Sequence, residues 1–260
     1  MNSRNGMKWS RDETILAFDL YCRTSFGKIS QSNPDIIELA RILGRTPGAV
    51  GLKMHNLAHY DPELQQRNVT AMAHGSKLDA EIYSEFSNNW TELAYHAQQI
   101  RARMQNIEIK EVVNIGDIDM IPPGDYREQM TKTRVGQYFF RMSVLNAYNN
   151  RCCVTGFSKS DLLVASHIKP WRESDERTEK TNPSNGLCLN SLHDKAFDRG
   201  LITITQDFQI WISNVIKNVD MDDRTRAWFM GYSHQQICLP DKFLPGKKFI
   251  EYHNDVIFQG

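Results

Sequence analysis

A chain of 260 residues can bury a substantial core and can form one large domain or two small ones. Its 31 lysines and arginines cancel its 31 aspartates and glutamates, which excludes a global basic field but not a local patch that meets phosphate. The opening MNSRNGMKWSRDE has no apolar signal core, and no apolar run approaches the roughly 20 residues that span a bilayer. Five cysteines, an odd set with the adjacent pair Cys152 and Cys153, do not fit a secreted disulfide framework. These features imply a cytoplasmic protein with reduced thiols and no membrane partner.

No repeat or low-complexity tract interrupts the chain. The first pattern is helical: DETILAFDLYCRT gathers Ile15, Leu16, Phe18, Leu20 and Tyr21 on one face, and PDIIELARILG does the same with Ile36, Ile37, Leu39, Ala40, Ile42 and Leu43. Ser10 with Glu13 predicts a capping box, Asn33-Pro34 a second helix start, Gly44 its end, and Thr46-Pro47 the start of a third helix through GAVGLKMHNLA. Three short helices with tight turns predict a bundle of helix-turn-helix type over residues 1–62. Its third segment carries Arg45, Thr46, Lys53, His55 and Asn56, polar groups suited to phosphates and base edges if that helix enters a major groove. A core-packing helix with ordinary solvated polar residues fits the same segment. Residues 63–130 read as helical spacer and linker, with Pro122-Pro123-Gly124 as a clear break.

Composition shifts again at TRVGQYFFRMSVLNAYNNRCCVTGF, an amphipathic helix bearing Phe139, Phe140, Val144, Leu145 and Tyr148. After it, DLLVASHI predicts a strand, residues 172–185 a polar loop, GLCL a short return strand and SLHDKAFD a helix. LITITQDFQIWIS alternates as one half-buried strand would. The expected fold is α+β, with a ββα core in which His167 ends the first strand, Asn185 closes the loop and His193-Asp194 lies on the helix.

These residues carry a resemblance. CVTG, LLVASHIKPW and NPSNGLCLNSLHDKAFDRGLITI resemble the HNH endonuclease family in its restriction-endonuclease branch, most strongly over 152–205. TRVGQYFFRMSVLNAY, FLPGKKFIEYHNDVIF and LARILGRTPGAVGLKMHNLAHYDP are similar to that branch as well. The resemblance implies a ββα-metal nuclease domain over 131–260 that hydrolyses double-stranded DNA with one divalent ion, magnesium or manganese. A neutral imidazole can take a proton from water near pH 7, so His167 is the expected general base. Asn185 matches the family's loop asparagine, which orients that histidine. Asp194 and His193 are the candidate metal ligands; family spacing, nine residues on from Asn185, selects Asp194. Lys169, Arg172 and Arg199 flank the site as candidate phosphate contacts.

Two departures qualify the resemblance. Ser166 stands where many HNH nucleases have an Asp or His ligand, and a hydroxyl is a weak ligand in that position. Cys153 and Cys188 lack the second cysteine of a Cys-x-x-Cys pair, so no structural zinc is expected. The implied biology is restriction of foreign DNA, unmodified or modified, in a prokaryotic cytoplasm. The alternatives are a non-catalytic DNA-binding regulator with a degenerate nuclease domain, or a mobile-element or repair nuclease. Antiparallel strands cut by a one-metal site suggest a homodimer, with residues 76–104 as the shared apolar surface.

Overall fold

The computed structural model of the chain describes residues 6–66, 75–109 and 124–260. The Pro122-Pro123 break and part of the expected spacer lie outside these residues. Helices and two small antiparallel sheets make up two compact units, Met1–Ser143 and Val144–Gly260. Among the described residues, no helix is long and apolar enough to cross a membrane.

The first unit is built around α1 (Arg11–Cys22), whose Leu16, Phe18, Leu20 and Tyr21 are buried. Its start is the expected capping box: Ser10 Oγ accepts from Glu13 N, and a Glu13 carboxylate oxygen accepts from Ser10 N. α2 (Pro34–Leu43) begins at Asn33, whose side chain accepts from Asp35 N, and ends at Gly44 in the left-handed region at φ 65°. It buries Ile36, Leu39, Ala40 and Leu43 and leaves Ile37 exposed, because only the stripe toward its neighbours is covered. α3 (Pro47–Ala58) is capped by Thr46 Oγ1, which accepts from Ala49 N. The short α4 (Pro62–Gln66) follows, and then α5 (Lys77–Phe86) and α6 (Trp90–Gln105) pack against α1. Ile82, Phe86, Trp90, Leu93, Ala97 and Ile100 are buried there. The apolar face expected at a dimer interface is therefore spent inside this unit. Phe139 of α7 (Asp125–Ala147) stacks on Trp90.

Two buried ion pairs hold the bundle. Arg45 donates from Nε and Nη2 to the Glu13 carboxylate at 3.0 and 2.9 Å and lies over the Trp9 ring. Lys53 Nζ donates at 2.7 Å to Asp79, which is 0% exposed and caps α5 with Ser76. Asp79→Ala removes both the pair and the cap and strands a buried ammonium. We expect a loss of about 3–5 kcal/mol, read as the shift in urea unfolding at neutral pH.

In the second unit, β1 (Leu163–His167) and β2 (Gly186–Asn190) pair antiparallel with His167 opposite Gly186. α8 (Ser191–Asp198) follows at once and packs back on both strands. Gly200 ends this turn at φ 66°, where a Cβ would lie 1.9 Å from the Ile257 carbonyl oxygen, so only glycine fits. The expected single strand after it is instead a hairpin of β3 (Ile202–Ile204) and β4 (Ile210–Ile212). Thr205 N bonds Gln209 O across the turn and Phe208 takes φ 61°. The apolar residues keep the same phase on both sides of the turn, so periodicity alone cannot see it. The short helices α9 (Asn214–Lys217), α10 (Asp223–Met230) and α11 (Lys247–Tyr252) follow, the last running into a π-helical turn, His253–Ile257. No disulfide joins the five cysteines; Cys22, Cys152, Cys153 and Cys188 are buried and Cys238 is exposed.

Candidate active site

His167 is half-buried at the last position of β1. Its Nε2 lies 2.8 Å from the Lys180 carbonyl oxygen. A carbonyl only accepts, so Nε2 carries the proton and the basic lone pair sits on Nδ1. Burial lowers the pKa of the ring, against a smaller opposing effect of the Lys180 carbonyl, and the imidazole is neutral near pH 7. The ring of Trp171 packs against it edge-on at 5.4 Å, and Lys180 Nζ lies over that indole.

Asn185 is fully buried and joins the two ends of the loop that follows β1. Its Oδ1 accepts from Lys169 N at 2.8 Å, and its Nδ2 donates to Lys169 O at 3.1 Å and Ser174 Oγ at 3.2 Å. Its own carbonyl accepts from Ile168 N. Both ends of its side-chain amide are thus engaged within the protein and tie the two ends of the loop together. Lys169, expected at phosphate, donates at 2.7 Å to Glu179, which also accepts from Lys248 Nζ at 2.9 Å. Burial works against ionisation of Glu179, but these two lysines prevail and hold its carboxyl at about 2.

Asn190 sets the third element. Its Oδ1 accepts from Leu192 N and His193 N, capping α8, while its Nδ2 donates to Thr155 Oγ1. An asparagine directly before SLHDKAFD is a legible cap signal, and the sequence reading passed over it. His193 is 2% exposed, and its Nδ1 lies 3.2 Å from the same Asn190 Oδ1, which can only accept. Phe229 stacks on its ring at 5.6 Å, with Trp228 and Tyr232 beside it. Burial drives its pKa down to about 4. Asp194, the next residue, is half-buried, and burial raises its pKa against the opposing effects of Ser166 and Lys195. Asp198, one turn on, is raised by burial and then by the charge of Asp194. The Ser166 hydroxyl is buried, with no hydrogen-bond partner of standard geometry among the described residues.

This donor set tests the fit of a metal. Two neighbouring carboxylates whose ionised forms are disfavoured, one of them against the Ser166 hydroxyl, suit a hard cation that keeps several waters, as magnesium does. His193 instead has its ring enclosed by Trp228, Phe229 and Tyr232, with Nδ1 bonded to Asn190. Among the described residues, no three His, Cys, Asp or Glu side chains are grouped to hold a metal unaided.

The other expected contacts are dispersed. Arg172 and Arg199 are exposed. In the first unit, Arg45 and Lys53 have their charges paired inside the bundle and are not offered to a phosphate, which departs from the expectation for both. Thr46 is exposed but caps α3, His55 Nδ1 lies 2.8 Å from Gly51 O of its own helix, and Asn56 is half-buried.

Beyond the site, His253 ties the C-terminal turn to the core. Its Nε2 lies 3.1 Å from Phe197 O, its Nδ1 lies 2.8 Å from Thr203 Oγ1, and its ring stacks on Phe197. Burial, partly opposed by the Phe197 carbonyl, lowers its pKa to about 4. A folded-state value below the unfolded one means that its contribution is complete above about pH 6.5 and is lost as pH falls toward about 4. Chemical unfolding followed across that window should show the loss, and His253→Gln should flatten the slope.

Two comparisons with known proteins bear on this geometry. Residues 152–205 match the model of the HNH_2 family, described as HNH endonuclease. No curated protein matches the chain.

Proposed function

We propose, from the match of residues 152–205 to the HNH endonuclease model, that this protein is a metal-dependent DNA endonuclease acting on foreign DNA, modified DNA included, in a prokaryotic cytoplasm. The observation that carries the reading is the bond from His167 Nε2 to the Lys180 carbonyl, which leaves Nδ1 as the base of a neutral, held imidazole. His167 takes the proton of the attacking water. Asn185 keeps the loop, and with it the ring, in register. Asp194 is the chosen metal ligand and His193 a packing residue, a division supported by the half-exposure of the one and the enclosure of the other. HNH nucleases generally use a divalent metal; bound here, it would polarise the scissile phosphate and support the leaving 3′ oxygen.

DNA recognition is assigned to the helical unit. α2 and α3, joined through Gly44, Arg45 and Thr46, have helix-turn-helix spacing, and contact with the duplex would fall to Thr46, His55 and Asn56 rather than to Arg45 and Lys53. Arg172 and Arg199 are the candidate phosphate contacts of the nuclease unit. A homodimer would match the two-fold symmetry of the duplex. The second reading, a regulator that binds DNA without cutting it, is favoured by Ser166 in place of a ligand.

Incubating the protein with unmodified and cytosine-modified duplexes, in magnesium, manganese or EDTA, tests the proposal. Cleavage abolished by EDTA supports the nuclease; binding without cleavage in either metal supports the regulator.

A further inference from the structure

The loop between the two strands of the site poses a question of its own. Residues 172, 173 and 175–178 are exposed and polar, yet this loop supplies the carbonyl that fixes the catalytic histidine. An exposed loop holds one conformation only if its ordering entropy is offset, and that requires an anchor. Glu179 lies next to the carbonyl-bearing residue and is 12% exposed.

Four elements meet at its side chain and backbone. Its carboxylate accepts from Lys169 Nζ at 2.7 Å, two residues past His167, and from Lys248 Nζ of α11 at 2.9 Å. The same carboxylate accepts from Asp175 N at 3.1 Å, closing the turn in which Glu179 N and Lys180 N both bond Asp175 O. Its carbonyl accepts from Asn185 Nδ2 at 3.4 Å. Glu179 is thus held from the strand end, the loop, the C-terminal helix and the loop asparagine, one residue before the Lys180 carbonyl.

We propose that Glu179 is a positioning residue for the reaction, acting through the Lys180 carbonyl to hold His167 in the tautomer and orientation that present Nδ1 to water. The assignment rests on the reading of His167 as the base. Lys169 and Lys248 are then parts of the same anchor, and their proximity to the site reflects charge neutralisation of Glu179 rather than contact with phosphate. Since Lys169 is 20% and Lys248 62% exposed, the inner lysine carries more of the geometry.

The test compares wild type with Glu179→Gln, which keeps the volume and loses the charge, and Glu179→Asp, which keeps the charge on a shorter stem. Nitrogen NMR of His167 at a pH where the ring is neutral reads the tautomer directly. Wild type should show protonated Nε2, Glu179→Gln a mixture of both tautomers, and Glu179→Asp a pattern nearer wild type. Cleavage by Glu179→Gln should fall about 10- to 100-fold in kcat with KM unchanged, the cost of misplacing a reacting group by a fraction of an ångström to one ångström. An unchanged His167 tautomer in Glu179→Gln would overturn the assignment, whatever happened to the rate or to thermal stability. The NMR readout needs no cleavage, so wild-type protein that cut no DNA would defeat the nuclease reading while the positioning of His167 was still decided by the spectrum.

Discussion

His167→Ala is expected to lower the rate of DNA cleavage by about 10²- to 10⁴-fold while DNA affinity stays close to that of wild type. The size follows from the loss of a positioned base, and the selectivity follows from where the ring lies. The ring bonds the Lys180 carbonyl and meets Trp171 edge-on, whereas the loop is tied across by the Asn185 amide, which the substitution leaves in place. Single-turnover cleavage and fluorescence anisotropy on the same duplex separate the two quantities. A variant that cut at the wild-type rate would remove His167 from the mechanism. The pH profile gives an independent check. Because burial lowers the pKa of the ring, the wild-type rate should rise with pH through a midpoint below the ordinary histidine value and be level near pH 7.

Asp194→Ala should abolish most cleavage and raise the magnesium or manganese concentration needed for what is left, whereas His193→Ala should act mainly on stability. The two neighbours differ in their surroundings. Asp194 is a half-buried carboxylate whose charge is disfavoured by burial and which, ionised beside Asp198, invites a cation. Alanine there removes the repulsion of Asp198 together with the contact to the Ser166 hydroxyl, opposing effects that should leave unfolding close to wild type. His193 stacks on Phe229, lies beside Trp228 and Tyr232, and bonds the Asn190 cap, so alanine there opens a cavity under α10. A loss of about 2–4 kcal/mol is expected for that change. Metal titrations of the cleavage rate, set beside urea unfolding, decide the matter. If His193→Ala shifts the metal requirement more than Asp194→Ala does, the ligand roles must be exchanged.

Local chemistry made much of this protein legible from its sequence. Ser10 with Glu13, Asn33-Pro34 with Gly44, and Thr46-Pro47 bound the first three helices because caps act within four residues of the groups they satisfy. The ββα order of the second unit was legible for the same reason. A short apolar run ending on His167, a return strand from Gly186 and a helix from Ser191 are each announced by their own residues. Family spacing singled out His167, Asn185 and Asp194 as one set.

Tertiary structure alone decided what the charged side chains do. In a linear reading Arg45 and Lys53 are exposed cations on a polar helix, and nothing within a helical turn marks Glu13, 32 residues away, or Asp79, 26 residues on, as their partners. Lys169 likewise reads as a phosphate contact until the loop folds Glu179 against it. The sequence names His167, but the proton on its Nε2 is set by a carbonyl 13 residues away, and a carbonyl is common to every residue and leaves no signature. The enclosure of His193 depends in the same way on aromatics of a helix that begins 30 residues later. Capping and periodicity act over one turn and can be read from neighbours; burial and ion pairing depend on which segments meet, and that is settled only when the core closes.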